Sequence, residues 1–179
     1  LRMKVSIGMN LQGGPWGGGN QFGRALASWL ERRGVEVCFD LAAPDLDVIV
    51  LAEPRSDLSI SAYIPRDVFR YLFLVNSRAV VVHRVNECDE RKGTTDVNRL
   101  LRRSNLCADH TVFVSAWLRD LHLRQGMPCR SHRVILNGAD RTVFNAEGHR
   151  RWDGSGPLKL ITHHWSGHRM KGFDIYERL

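Results

Sequence analysis

Residues 4–33 read KVSIGMNLQGGPWGGGNQFGRALASWLERR, and this stretch decides the fold class. Val5 and Ile7 alternate within Lys4–Asn10 as they do in a strand with two unlike faces. The glycine-rich loop Leu11–Gly19 follows. Asn20 then reads as a helix N-cap, and Gln21–Arg33 as a helix carrying Phe22, Leu26, Trp29 and Leu30 on one side. Gly34 stands where a helix C-cap favours glycine. Strand, loop and helix in this order open a βαβ unit.

The same alternation continues downstream. Val35–Phe39 and Asp47–Leu51 read as strands, the second a short apolar run suited to burial on both faces. Pro54 and Pro65 punctuate the next segment, with a helix expected near Asp67–Val75. Ala79–Val85 (AVVVHRV) is a buried strand that releases the polar loop Asn86–Thr95. A helix is expected over Asp96–Ala108, a strand over His110–Val114, a Ser115-capped helix over Ala116–Gln125 and a strand over Arg133–Leu136. The expected fold is therefore α/β, a Rossmann-like parallel sheet flanked by helices.

The polar segment Ala146–Pro157 breaks this rhythm. The expected organisation is a domain over 1–145, a linker over 146–157 and, over 158–179, the first strand and helix start of a second Rossmann-like domain. One strand and a partial helix cannot build a core, so the chain reads as a fragment.

Composition narrows the function classes. The chain has 179 residues, 43% hydrophobic and 25% charged, values that exclude bulk disorder. No apolar run approaches the ~18–20 residues of a membrane span, and no leader is read ahead of the first strand, so a cytoplasmic location is expected. Four dispersed cysteines form no CxxC pair, which argues against a zinc site or a disulfide scaffold. Lys+Arg number 26 against 19 Asp+Glu, a net charge of +7. Such a surface suits phosphorylated substrates or peripheral contact with an anionic membrane. Arg99, Arg102 and Arg103 form a basic helix face, but no aromatics interleave with it, so no nucleic-acid partner is expected.

Ligands of open parallel sheets bind outside the carboxyl ends of the strands. Four unusual segments fall at such ends: Gly13–Gly19, His83–Thr95, Asn137–Asp140 and His163–Lys171. Five glycines in the seven positions 13–19 (Gly13, Gly14, Gly17, Gly18, Gly19) let backbone N–H groups approach an anion. No Walker lysine follows, because Asn20 occupies its place, and no G-x-G-x-x-G register fits. Asp40 nevertheless lies where a ribose-binding carboxylate would follow the second strand. His83 can polarise a hydroxyl or move a proton, and Glu87, with Asp89 and Glu90, can accept from polyol hydroxyls. Trp16 and Trp165 offer stacking surfaces. With His163-His164 and His168, the spacing could set His164 and His168 on one helical face, but Gly167 between them argues for a loop and there is no third ligand, so no metal or cofactor is expected. Arg169 and Lys171, ahead of Gly172 and a helix, form an anion site.

The order of these motifs resembles the retaining group-1 (family 4) glycosyltransferases of the GT-B fold. The residues that carry it are the Gly-Gly loop after the first strand, the strand ending in His83-Arg84, Val112–Ser115 before a helix, Asn137-Gly138-Ala139-Asp140 with Phe144, and Lys171-Gly172. The resemblance implies two Rossmann-like domains, the first holding the acceptor and the second a nucleotide-sugar donor. It implies transfer of a sugar with retention and without metal, to a glycan, lipid-linked or small-molecule acceptor. His83 would be the catalytic histidine beside the transferred sugar. The glycines Gly13, Gly14, Gly17, Gly18 and Gly19, with Arg169 and Lys171, would hold the donor phosphates. Trp16, Arg84, Glu87 and Asn137 would contact acceptor or sugar. The arginine that usually precedes the family's lysine is absent, the region reading His163-His164-Trp165. Two other readings stay open: an NAD-type Rossmann oxidoreductase, and a non-catalytic α/β binding module.

Overall fold

The computed structural model describes residues 2–14, 16–157, 159, 161 and 172–178. The chain divides into two compact units, Leu1–Leu136 and Asn137–Leu179.

The first unit is built on six strands: β1 Lys4–Ile7, β2 Glu36–Cys38, β3 Val48–Leu51, β4 Val80–Val85, β5 His110–Phe113 and β6 His132–Val134. All pair in parallel, in the order β2-β1-β3-β4-β5-β6. The α/β class and the Rossmann-like parallel sheet are thus as the sequence implies. The chain reverses its direction of growth between β1 and β3, which makes that boundary the topological switch point.

The helices are α1 Gly18–Glu31, α2 Pro65–Leu74, α3 Asp89–Lys92, α4 Val97–Ser104 and α5 Ala116–Arg124, with a 3-10 turn at Asn105–Cys107. Strand alternation sorts them onto two faces. Val50 and Ala52 join Val5, Ile7 and Met9 under Phe22, Leu26, Ala27 and Leu30 of α1. Ile49, Leu51 and Val81 face the other way, against Val68 and Tyr71 of α2 and Cys107. Val85 and Phe113 continue that face under Leu101 of α4 and Leu118 of α5. Burial on both faces is why β3 and β4 read as unbroken apolar runs.

Three local readings need correction. Helix α1 begins at Gly18, with Gly17 at the N-cap, so Asn20 lies inside the first turn and caps nothing. The loop 86–95 contains the short helix α3. The helix expected over Asp96–Ala108 ends at Ser104, because the Asn105 side chain is drawn into the core. Ser115 does cap α5, its Oγ accepting from Leu118 N at 3.1 Å.

In the second unit the described helix is α6 Phe173–Tyr176, preceded by Gly172 at φ 88°. The strand expected over Leu158–Thr162 falls largely outside the described residues.

Candidate functional site

The carboxyl edge of the sheet is built from the ends of β1, β3 and β4. Beyond β1, the loop is closed at its base by a side chain. Asn20 is buried, its Oδ1 accepts from Gln12 N at 2.8 Å, and its Nδ2 donates to Gln12 O at 2.9 Å. One amide thus pairs with a backbone unit as a neighbouring strand would. It fixes both ends of the glycine loop relative to α1.

The glycines of this region fall into two kinds. A Cβ on Gly8 would meet the Tyr63 ring at 2.7 Å and Val50 O at 3.1 Å, and one on Gly23 would meet Leu11 Cδ2 at 2.7 Å and Met9 Sδ at 2.9 Å. Those two are glycine so that the chain can pack. Gly13 and Gly18 have no atom within 4 Å of a Cβ, and their φ lies outside the left-handed region. Gly14 likewise faces open space but takes φ 87°, which favours glycine. No packing demand explains Gly13 or Gly18. Both are exposed, at or just ahead of the amino end of the 14-residue α1. Trp16, 46% exposed, stands in the same loop, its N–H donating to Gly14 O at 3.0 Å.

The switch point itself is filled. The segment after β3 folds back so that Met9 bridges Ser61, and Asn10 Nδ2 donates to Ser59 O and Ser61 O. The Tyr63 hydroxyl lies 3.1 Å from Ser6 O and 3.2 Å from Val50 O, spanning β1 and β3. Burial holds that phenol well above its ordinary range.

His83 and Arg84 separate. Neighbouring strand residues point to opposite faces. The imidazole of His83 is fully buried on the α4 side, hydrogen-bonded through Nδ1 to Asn105 Oδ1 at 2.8 Å. Thr111 Oγ1 donates to the same oxygen at 2.9 Å, and Asn105 Nδ2 donates to Pro128 O at 2.6 Å. An acceptor oxygen requires the proton on Nδ1, so Nε2 is the bare nitrogen, and it has no partner among the described residues. Burial pushes this imidazole down to about 4, against a pull upward from Asn105. The imidazole expected to act on a sugar is thus a buried, neutral group two residues inside the strand end.

Arg84 turns to the α1 face, where its guanidinium stacks 3.9 Å from the Phe22 ring centroid. It is 5% exposed, and burial lowers its pKa to about 10. It ties β4 to the helix that follows the glycine loop.

Beyond β3 and β4 lies an ion network that sequence reading missed. Arg55 Nε and Nη2 donate to the two oxygens of Glu53, each at 2.6 Å. Arg55 Nη1 stands 3.1 Å from Glu87 Oε2, an ion pair outside hydrogen-bond geometry, and Lys92 Nζ is 2.7 Å from Glu87 Oε1. Glu87 is therefore held by two cations. The signal for this network lay in Ala52–Arg55, which follows the apolar run of β3 at the switch point. Asp89 is also structural. Its carboxylate accepts from Thr94 Oγ1, Val97 N and Asn98 N. Burial raises its pKa, but these bonds outweigh that and hold it below its ordinary value. Glu90 accepts from Asn98 and Gln125.

From this network an open groove of about 560 Å³ runs along α4, lined by Arg55, Asp57, Thr94, Thr95, Asp96, Arg99 and Arg103 with Val97 and Leu100. The basic face of α4 is partly engaged: Arg99 pairs with Asp96 at 2.6 Å, and Arg102 donates to Gln125 O at 2.9 Å. Paired charges, hydroxyls and a short apolar stretch in one groove suit a polyhydroxylated ligand more than a bare anion.

Asp40 lies just past β2, its Oδ1 accepting from Ala42 N at 2.9 Å. Asn137 is exposed and belongs to the second unit. Arg169 and Lys171, with His163, His164, Trp165 and His168, lie outside the described residues. Among the described residues no group of three or more His, Cys, Asp or Glu side chains is placed to hold a metal ion. Nor is any described helix long and apolar enough to cross a membrane.

No protein-family model matches the chain, and no curated protein matches it either.

Proposed function

We propose that the Leu1–Leu136 unit is the acceptor-side half of a glycosyltransferase that takes its sugar from a nucleotide-sugar donor, with retention and without a metal. The observation that carries this reading is the open space around Gly13 and Gly18. Neither packing nor backbone conformation asks for glycine at these positions. Close approach of a ligand to the backbone does. The Gly18 amide stands at the positive end of α1, where charge developing on a departing diphosphate would be stabilised without a cation.

The remaining residues take supporting roles. Arg84 and Phe22 hold the strand and helix on either side of the loop at fixed spacing. The groove along α4 offers the acceptor its hydroxyl partners, with Arg55, the ion-pair partner of Glu87, in its lining. Arg169 and Lys171 retain the phosphate-neutralising part that the family resemblance gives them. A lipid-linked acceptor would bring such an enzyme to a membrane surface.

The test is transfer of radiolabelled sugar from UDP-, GDP- and ADP-linked donors by the protein of the whole reading frame. Transfer is expected, and Gly18→Val should abolish it while leaving the thermal midpoint unchanged. Saturable NAD binding without transfer would move the chain to the oxidoreductase reading, which Asp40 after β2 would then serve. Absence of both would leave a binding module.

A further inference from the structure

We propose that the outward face of α2 is a docking surface for a membrane carrying anionic lipid. This inference is independent of the sugar-transfer reading.

Helix α2 buries one side and leaves the other unusually apolar. Val68 and Tyr71 are buried against the sheet, and the Tyr71 hydroxyl donates to Ala43 O at 2.7 Å while accepting from Leu46 N at 3.1 Å. The helix is thus locked in place. On the other side Phe73 is 88% exposed, Phe69 46% and Leu74 64%. At 100° per residue, Phe69, Phe73, Arg66 and Arg70 share an outward stripe about 100° wide. Arg78 follows the helix after three residues, Val75, Asn76 and Ser77, and is also exposed.

The charge around these aromatics is mainly positive, three arginines against one aspartate. Arg66, Arg70 and Arg78 make no ion pair among the described residues. The acid of this helix, Asp67, is occupied in its first turn, where its carboxylate accepts from Ile64 N at 3.0 Å. Exposed phenylalanines flanked by arginines match an interface of acyl chains beneath anionic headgroups. A two-fold contact between copies would gather two sets of these arginines into one interface, which disfavours a second chain as the occupant. The helix has ten residues, too few to cross a bilayer, so it would lie on the surface.

The test is co-sedimentation of the chain with vesicles of phosphatidylcholine alone and of phosphatidylcholine mixed with phosphatidylserine. Binding is expected to the mixed vesicles, weakening as salt rises. Phe69→Ser with Phe73→Ser should reduce it at least about ten-fold. Arg66→Gln and Arg70→Gln should each reduce it about five-fold. These side chains point outward, so circular dichroism should be unchanged. Replacing Arg99, Arg102 and Arg103 on α4 by Gln should leave binding within about two-fold. Undiminished binding by the Phe69/Phe73 variant would overturn the proposal, because the net charge would then act through another face. Absence of binding to the mixed vesicles would overturn it as well. A dimer that Phe73→Ser dissociates would, in that case, identify the face as a contact between copies.

Discussion

Acid should weaken this fold through one imidazole, and the size of the effect follows from where His83 sits. In the unfolded chain the ring titrates near 6.5. In the fold it is held neutral down to about 4, with burial as the leading cause. Between those values the unfolded state binds a proton that the native state refuses. Stability is therefore fully present above pH 6.5 and is lost as pH falls toward 4. Two and a half pH units at about 1.4 kcal/mol each give about 3 kcal/mol. That is a large share of the roughly 5–15 kcal/mol that holds a domain together. His122 is shifted in the same direction, by burial first, against pulls upward from Glu87, Glu90 and Asp89. A variant is needed to separate the two. His83→Gln removes the titration while keeping a donor for Asn105. Urea unfolding of both proteins from pH 7 to pH 4, followed by circular dichroism, measures the difference. The advantage of the wild type should shrink by about 3 kcal/mol across that range. Parallel curves would refute the reasoning, because they would mean that the ring takes its proton near its ordinary value.

Further tests address the glycines and caps. Gly8→Ala should destabilise by about 2–3 kcal/mol, since the new methyl meets both a ring and a backbone oxygen, and Gly23→Ala by about 1–2 kcal/mol, since it meets only side-chain ends; denaturant midpoints check both. Gly13→Ala and Gly18→Ala should leave the midpoint within about 0.5 kcal/mol or raise it, while Gly14→Ala, forced to φ 87°, should lower it by about 1 kcal/mol. Ser115→Ala should cost about 1 kcal/mol by removing the bond to Leu118 N, read from thermal melts. Asp89→Ala should unfasten the loop ahead of α4, seen as faster amide exchange at Val97 and Asn98.

What the sequence could reveal depended on how local each cause was. The sheet was legible because β3 and β4 are buried on both faces, and that condition writes itself as Val-Ile-Val-Leu and Val-Val-Val. The sites were less legible. His83-Arg84 looked like a pair at a strand end, but the alternation that places residues on a strand sends the two to opposite faces. Asn20 suited a cap by residue type, yet the Gln12 backbone eight residues earlier claims its amide. Asn105 breaks a helix that its neighbours would continue, because its partners at His83, Thr111 and Pro128 come from elsewhere in the chain. The Glu53–Arg55–Glu87 network joins residues from the ends of two strands, and nothing in either segment alone announces the other.

The Asn20–Gln12 clasp has a consequence for how this protein can change. With both ends of the loop pinned by one amide, the chain between Gly13 and Gly17 carries no part of the sheet's alignment. Extra residues inserted there would meet only a slowly growing entropy of closure, about 0.6 kcal/mol for each doubling of length. The loop is thus a place where length and composition can drift, or be engineered, without disturbing the frame, whereas substituting Asn20 would remove that licence.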